Sequence, residues 1–178
     1  MKSISHGVLI FNGDAQLLLC HATGSPYWDI PKGGGTLTET GRQTAVRETF
    51  EECGLRLAPE DLLPLGCFAY RAGKDLQLYA VLSGNFDAHA CTCASQFVDR
   101  RGRPRPEMDA YRWAGFDELP QWCAKSLVAV LTRALSLKAI LAQLQALKQR
   151  HTDVDPRARS PRVHRTRMKA RTAPRAAE

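Results

Sequence analysis

Residues 39–53 restrict the fold of this chain most, because their apolar side chains recur at helical spacing. Val46, Phe50 and Cys53 fall on one side of such a helix. Gly54 follows directly, at the position where a glycine commonly ends a helix. We therefore predict a helix over residues 39–53. Its apolar side should pack against the rest of the domain.

The other side of this predicted helix carries three glutamates, Glu48, Glu51 and Glu52. Successive residues turn by about 100° around a helix, so the three carboxylates share one face. Like charges at this spacing repel, and a divalent cation would reverse the sign of that interaction. Carboxylates suit Mg²⁺ or Mn²⁺ better than a closed zinc site. Taken alone, the cluster also leaves open a solvated acidic surface.

The rest of the pattern predicts strands around this helix and a helical C-terminal region. Predicted strands cover residues 4–12, 15–22, 62–70, 76–84 and 107–116. The turn at residues 12–14 joins the first two into a hairpin, and a short strand before Pro31 should break there. Residues 85–105 are polar and read as a long loop with strand ends. From Gln121 a leucine stripe predicts helices packed on the domain, with a break near Ser136.

Composition divides the chain into two parts. The 178 residues are 44% hydrophobic, which suits one domain plus an extension. Residues 151–178 hold eight Lys or Arg and three acids, so they contribute +5 of the net charge of +7. They contain almost no large apolar residues. We expect a domain over residues 1–150 and a basic, disordered tail over residues 151–178.

The sequence predicts neither a membrane span nor an export signal. No segment approaches the roughly 18 apolar residues that a span needs, and no cleavage site follows the short N-terminal apolar run. We expect a cytoplasmic protein with six free thiols. His89, Cys91 and Cys93 alternate in "HACTC". A metal site there is the less favoured alternative to a loop or strand end.

The spacing around the glutamates matches a long motif. Five residues separate Gly33 from Glu39, and seven more precede the run from Arg47 to Leu55, "RETFEECGL". This pattern resembles the Nudix box, G-x5-E-x7-R-E-U-x-E-E-x-G-U, where U is a bulky aliphatic residue. Thr49 departs from it at the first U position. Many members of the family also carry a further glutamate where residue 42 is an arginine here.

The resemblance implies an α/β fold, the Nudix-type α-β-α sandwich with a mixed curved sheet and a catalytic loop-helix-loop. Nudix enzymes hydrolyse a nucleoside diphosphate linked to another group, using Mg²⁺ or, as a substitute, Mn²⁺. The metal lowers the pKa of the attacking water and stabilises charge on the phosphate oxygens.

The motif positions imply roles for individual residues. Glu48, Glu51 and Glu52 would bind the metal, together with the backbone carbonyl of Gly33. One of the three, or a carboxylate from a distant loop, would deprotonate the water. Arg47 would orient a glutamate and lies within reach of Glu51 at four residues' distance.

Two carboxylates outside these three extend the expected metal set. Glu39, near the helix start, would be an outer ligand or would support the cluster. The segment "PEMDAYRW" resembles one in bacterial RNA pyrophosphohydrolases whose glutamate after the proline is an extra ligand, which implies Glu107. A polar residue that merely starts a strand is the alternative for Glu107.

The segment "WDIPKGG" bears on the substrate. Its "PKG" resembles the entry into the box in dinucleoside and diphosphoinositol polyphosphate hydrolases, while RNA pyrophosphohydrolases have a similar "FPQGG". Lys32 is expected to contact a phosphate, and Tyr27 and Trp28 to stack on a base. Core packing is the alternative for Trp28. Residues 85–105 are the expected specificity loop.

These features imply a metal-dependent pyrophosphohydrolase whose substrate is a dinucleoside polyphosphate or another nucleotide. The alternatives are an RNA 5′-pyrophosphohydrolase and a catalytically weak module that binds nucleotides or RNA. The intact set of Glu48, Glu51 and Glu52 disfavours the weak module. RNA is a further expected partner of the arginines in residues 151–178. The oligomeric state stays open.

Overall fold

A seven-stranded mixed sheet forms the centre of the computed structural model, which describes residues 2–154 and their side chains to residue 150. The predicted tail lies outside these residues, apart from the end of the last helix. The strands are β1 Ser3–Phe11, β2 Gln16–Ala22, β3 Trp28–Asp29, β4 Lys32–Gly34, β5 Leu63–Arg71, β6 Lys74–Leu82, β7 Gln96–Val98, β8 Pro104–Pro106 and β9 Met108–Gly115. The main order is β3-β2-β1-β6-β5, with β4 on β1 and β9 on β2.

Helices cover both faces of this sheet. They are α1 Gly41–Cys53, α2 Leu119–Trp122, α3 Lys125–Ala129 and α4 Leu137–Val154, with a π-helical turn Val130–Ala134 after α3. Short 3₁₀ turns lie at Pro59–Asp61 and Ala88–Ala90. The predicted break near Ser136 is confirmed, because α4 begins one residue after it.

Strand β1 shows why the sheet needs two covers. Val8 and Ile10 pack in the cluster that contains the side chains of α1. Leu9 and Phe11 pack in the opposite cluster, with the C-terminal helices. All four side chains are fully buried, as expected of a strand covered on both faces. The predicted α-β-α sandwich with a mixed sheet is therefore confirmed.

The first hairpin is present but opens beyond its turn. β1 and β2 pair at Phe11 and Leu17, beside a turn in which Asn12 accepts bonds from two backbone N–H groups. Further along, β1 pairs with β4 and β2 pairs with β3. Strand β9 pairs with the other edge of β2 over the whole length of β2. The predicted break at Pro31 is present, but β4 resumes directly after it. The sequence did not indicate β4, which consists of one lysine and two glycines.

Helix α1 begins at Gly41, two residues later than predicted. Thr40 is its N-cap, and Thr40 and Gln43 form a capping box. At the other end, Gly54 adopts φ 71° and its N–H bonds to the Phe50 carbonyl at 2.8 Å. The predicted helix end is confirmed.

The side of α1 that faces the sheet differs from the prediction. Its buried residues are Thr44, Ala45, Thr49, Glu52 and Cys53. Val46 and Phe50 are only partly buried, and the Phe50 ring lies 4.3 Å from the Arg56 guanidinium carbon. Small side chains allow the helix backbone to approach the sheet. Thr49, the departure from the Nudix box, is fully buried and donates to the Ala45 carbonyl at 2.8 Å.

Residues 85–105 contain more structure than the predicted loop. β7 and β8 pair in a separate two-stranded sheet.

All six cysteines are free thiols, as predicted. Cys93 bonds to Ser95 rather than to a metal-binding group.

The C-terminal helices pack as the leucine stripe predicted. Leu127, Leu131, Ile140, Leu141 and Leu144 are buried in one core cluster. Within residues 2–154, no single helix has the length and apolarity of a membrane span. Lys125–Ala134 and Leu137–Arg150 reach that length and apolarity only as a pair, which is bent by 66°.

Replacing Gly54 by alanine is expected to destabilise the protein more than replacing Gly73 by alanine. Both glycines have left-handed φ, 71° and 72°, which costs alanine about 1–2 kcal/mol. At Gly54 the new Cβ would also lie 2.7 Å from Thr92 Oγ1, whereas at Gly73 nothing lies within 4 Å. Urea unfolding of both variants measures the difference. Equal losses of unfolding free energy would contradict this account.

Candidate active site

Glu52 lies at the junction of β4 and α1. The Lys32 backbone N–H donates to Glu52 Oε2 at 2.9 Å, and Tyr111 Oη donates to the Glu52 carbonyl at 2.5 Å. Glu52 is only 3% exposed. Burial raises its pKa to about 8; Glu48 and Glu107 add to the rise and the Lys32 N–H opposes it. The prediction that all three glutamates lie opposite the buried side of the helix is therefore wrong for Glu52.

Glu48 lies directly against the backbone of Gly33. A Cβ at Gly33 would lie 2.0 Å from the Glu48 carboxyl carbon, whereas one at Gly34 would meet nothing within 4 Å. Only glycine at position 33 therefore leaves room for this carboxylate. Burial raises the pKa of Glu48, although the Arg47 guanidinium opposes the rise.

The Arg47 guanidinium binds three carboxylates and one carbonyl. Its Nη1 donates to Glu48 and to Glu51, both at 2.8 Å. Its Nε donates to Glu39 at 2.7 Å and its Nη2 to the Gly34 carbonyl at 2.9 Å. The predicted contact with Glu51 is confirmed. Arg47 thus joins the loop before α1 to the acidic side of the helix.

Glu39 lies just before the helix rather than within it. Its carboxylate accepts bonds from Arg47, from the Thr36 N–H at 3.2 Å and from Thr44 Oγ1 at 3.3 Å. The bond from Arg47 lowers the pKa of Glu39 to about 2. Glu39 is therefore an anion at neutral pH and is held on the same arginine as Glu48 and Glu51.

Glu107 joins the group from the segment before β9. Its backbone N–H donates to the Ser95 carbonyl at 3.1 Å, and its carbonyl accepts from the Thr23 N–H at 2.9 Å. Its charge contributes to the raised pKa of both Glu48 and Glu52. Because the Ser95 N–H in turn donates to the Glu51 carbonyl at 3.3 Å, the backbone places Glu107 near the end of α1.

The donor chemistry of this group fits a divalent cation. Glu48 and Glu52 have raised pKa values because burial and neighbouring carboxylates disfavour their charge, and a cation would compensate that charge. Within residues 2–154, no three Asp, Glu, His or Cys side chains already stand as a ready ligand set. Arg47 holds Glu48 and Glu51 instead, so these two would exchange a guanidinium contact for the ion.

A family model for the NUDIX domain matches residues 1–135, more than half of the chain. The chain belongs to the Nudix family. Members of this family are hydrolases of pyrophosphate bonds, and they generally use divalent metal ions. The recognition of the box from its spacing is thereby confirmed.

Relatives and solved structures agree with this assignment. A 17.7 kDa protein of Enterobacteria phage T4 is 36% identical over 122 residues, which cover 62% of this chain and 81% of the relative. An RNA pyrophosphohydrolase of Pseudoalteromonas atlantica is 30% identical over 122 residues, covering 62% and 68%. A C. elegans Ap4A hydrolase, solved as a binary complex, shares the fold with a TM-score of 0.54 at 20% identity, covering 80% and 98%.

Lys32 of this Nudix hydrolase already has an acidic partner. Its Nζ lies 2.6 Å from Asp29 Oδ2, and both side chains are largely buried. Burial alone would lower the pKa of Lys32, but Asp29, Tyr70 and Glu52 together outweigh it and the pKa is raised. Sequence reasoning missed Asp29, although its three-residue spacing from the lysine was a usable signal. The contact of Lys32 with a phosphate stays a prediction.

The two aromatic residues expected to stack on a base lie in different surroundings. Tyr27 is 49% exposed. Trp28 is partly buried, with its ring centroid 5.2 Å from that of His21 and 6.2 Å from that of Trp122. The Arg112 guanidinium carbon lies 5.6 Å from the Trp28 centroid. These contacts support the packing alternative for Trp28, and base stacking by either residue stays a prediction.

A cavity of about 500 Å³ lies beside Trp28. It is lined by Trp28, Phe86, Asp87, Ala88, His89, Ala110, Tyr111, Arg112 and Trp113. Arg112 Nε is buried and has no hydrogen-bond partner among the described side chains. Aromatic faces beside a guanidinium are suited to a flat ring. Sequence reasoning missed Arg112, and its position in an aromatic-rich strand was the only signal.

Gly33→Ala is expected to lower kcat/KM about 100-fold or more, because the new methyl group occupies the space of the Glu48 carboxylate. Gly34→Ala is the matched control, since its Cβ meets nothing and its carbonyl remains available to Arg47. Steady-state hydrolysis of a nucleoside polyphosphate with Mg²⁺, alongside thermal unfolding, measures both effects. Equal activity in the two variants would contradict the proposed contact.

Proposed function

We propose that this protein is a Mg²⁺-dependent pyrophosphohydrolase, with Mn²⁺ as a substitute, whose metal is held by Glu48, Glu51 and Glu52. One observation carries the proposal. Glu52 is buried and Glu48 is partly buried against the backbone of Gly33, and both carboxyl groups have raised pKa values to which the charge of Glu107 contributes. Such a group is unfavourable alone and favourable around a hard cation. The Gly33 carbonyl and Glu107 complete the inner set, and Glu39 supports it from outside.

The bound metal would lower the pKa of the attacking water and stabilise charge on the phosphate oxygens. The protein's own residues position the ligands. Arg47 orients Glu48 and Glu51, and the Lys32 N–H and Tyr111 hydroxyl fix Glu52. One carboxylate of the set accepts the proton of the water.

The proposed substrate is RNA that carries a 5′-polyphosphate. The relative from Pseudoalteromonas atlantica, 30% identical over 122 residues, is named for this activity. A dinucleoside polyphosphate is the second candidate, favoured by the "PKG" sequence at residues 31–33. The Asp29 partner of Lys32 weakens that argument, because the ammonium is already paired.

Glu52→Gln and Glu51→Gln are expected to lower Mg²⁺-dependent hydrolysis at least about 100-fold while the protein stays folded, since each removes a charged metal ligand. Glu60→Gln is the control, because Glu60 is an exposed carboxylate outside the cluster. Turnover, Mn²⁺ affinity by calorimetry and thermal unfolding are measured together. Near-normal turnover and Mn²⁺ affinity in both folded variants would refute the metal assignment.

The substrate class is tested with a panel in Mg²⁺ and in Mn²⁺. The panel contains 5′-triphosphate RNA, dinucleoside tetraphosphates, NTPs, ADP-ribose and NADH, with products identified by mass. The highest kcat/KM is expected for RNA, with release of one pyrophosphate or of two phosphates in succession, which leaves a 5′-monophosphate end. A clear preference for dinucleoside tetraphosphate would favour the second candidate.

A further inference from the structure

The small sheet of β7 and β8 is a hairpin that projects from the candidate active site. At its base, the N–H groups of Ala94 and Ser95 donate to the Glu51 carbonyl at 2.7 and 3.3 Å. The Glu107 N–H donates to the Ser95 carbonyl at 3.1 Å. The hairpin, residues 96–106, therefore begins beside one proposed metal ligand and ends beside another.

The hairpin is strongly basic. Its cations are Arg100, Arg101, Arg103 and Arg105, all exposed. Its only acid is Asp99, whose Oδ1 accepts from the Arg101 and Arg103 N–H groups at 2.8 and 2.9 Å. Among the described residues, no carboxylate lies within ion-pair distance of these four guanidinium groups. The acid therefore shapes the turn and leaves the positive charge facing solvent.

An aromatic ring accompanies the charge. Phe97 pairs with Arg105 across the hairpin, so both side chains point to the same face. Phe97 is 37% exposed and neighbouring Val98 is 70% exposed. A ring beside a guanidinium on an exposed strand is the combination that binds single-stranded nucleic acid, because bases stack on the ring and phosphates meet the cation.

We propose that this hairpin binds the single-stranded RNA that follows the 5′-polyphosphate, and thereby selects RNA over small nucleotides. The proposal rests on the metal-dependent hydrolysis argued above, since the 5′ end must lie at the glutamates. Three residues per strand, at about 3.3 Å each, carry the turn roughly 10 Å from the base of the hairpin. The four arginines thus lie within roughly 10 Å, along the strands, of the backbone that bonds to Glu51 and precedes Glu107. Phe97 favours RNA over an acidic protein partner.

The test compares full-length variants on a long and a short substrate. R101Q/R103Q/R105Q removes three cations without changing the backbone bonds to Asp99. The substrates are a 5′-triphosphate RNA of ten nucleotides and a dinucleoside tetraphosphate. In the triple variant we expect kcat/KM for the RNA to fall about ten-fold or more. We expect kcat/KM for the dinucleoside tetraphosphate to stay unchanged. Phe97→Ala should also weaken binding of RNA, about ten-fold.

The matched control is K125Q/R133Q/K138Q, which likewise removes three exposed cations, from the helical side of the domain, and should leave kcat/KM for both substrates unchanged. Thermal unfolding of every variant checks the fold. The proposal is overturned if kcat/KM of the triple variant falls equally for the RNA and the dinucleoside tetraphosphate, or falls for neither. No effect would leave the hairpin available to an acidic protein instead.

Binding of the same RNA with a 5′-hydroxyl end tests the hairpin without any hydrolysis. In fluorescence anisotropy, the plot of log association constant against log salt concentration has a negative slope, and in the triple variant the magnitude of that slope should be smaller by about 0.7 for each lost phosphate contact. An unchanged slope overturns the proposal. One further outcome is that the wild type hydrolyses none of the substrates while its slope still differs from that of the triple variant in this way. In that case the proposed function fails and the hairpin's role in binding RNA stands.

Discussion

The bonds of Arg47 are the interaction on which the rest of the site depends. One guanidinium binds Glu39, Glu48 and Glu51 and also the carbonyl of Gly34. Three carboxylates at this spacing would otherwise repel. The same bonds attach the glycine loop to the helix. A single side chain therefore both neutralises the carboxylates and fixes the position of the loop. Burial of apolar side chains would not achieve either on so polar a surface.

The sequence was most informative where spacing determines geometry. The positions from Gly33 to Leu55 identified the family, and Gly54 ended the helix as predicted. It was least informative where long-range contacts decide. Strand β4 has no apolar pattern of its own and forms because β1 offers a free edge beyond the opened hairpin. Glu52 is buried because that strand donates an N–H to it, which no pattern within α1 could indicate.

The hairpin proposed to bind RNA is a different part of the fold from the proposed metal site. The carboxylates lie on α1 and before β9, while the exposed cations lie on a hairpin inserted between them. Because that hairpin has its own two-stranded sheet and an acid-capped turn, its sequence can change without altering the core clusters.

The parallel pairing of β1 with β6 has a consequence for how the chain folds. These strands pair from Ser3 with Lys74 to Phe11 with Leu82, so about seventy residues must be closed into a loop first. Strand β2 pairs with β9, which is the last strand in the chain and directly follows Glu107. Contacts of such sequence separation form slowly. A growing chain can thus form the helix that carries the glutamates well before the last strand is in place, and the proposed metal site is complete only once that strand has joined the sheet.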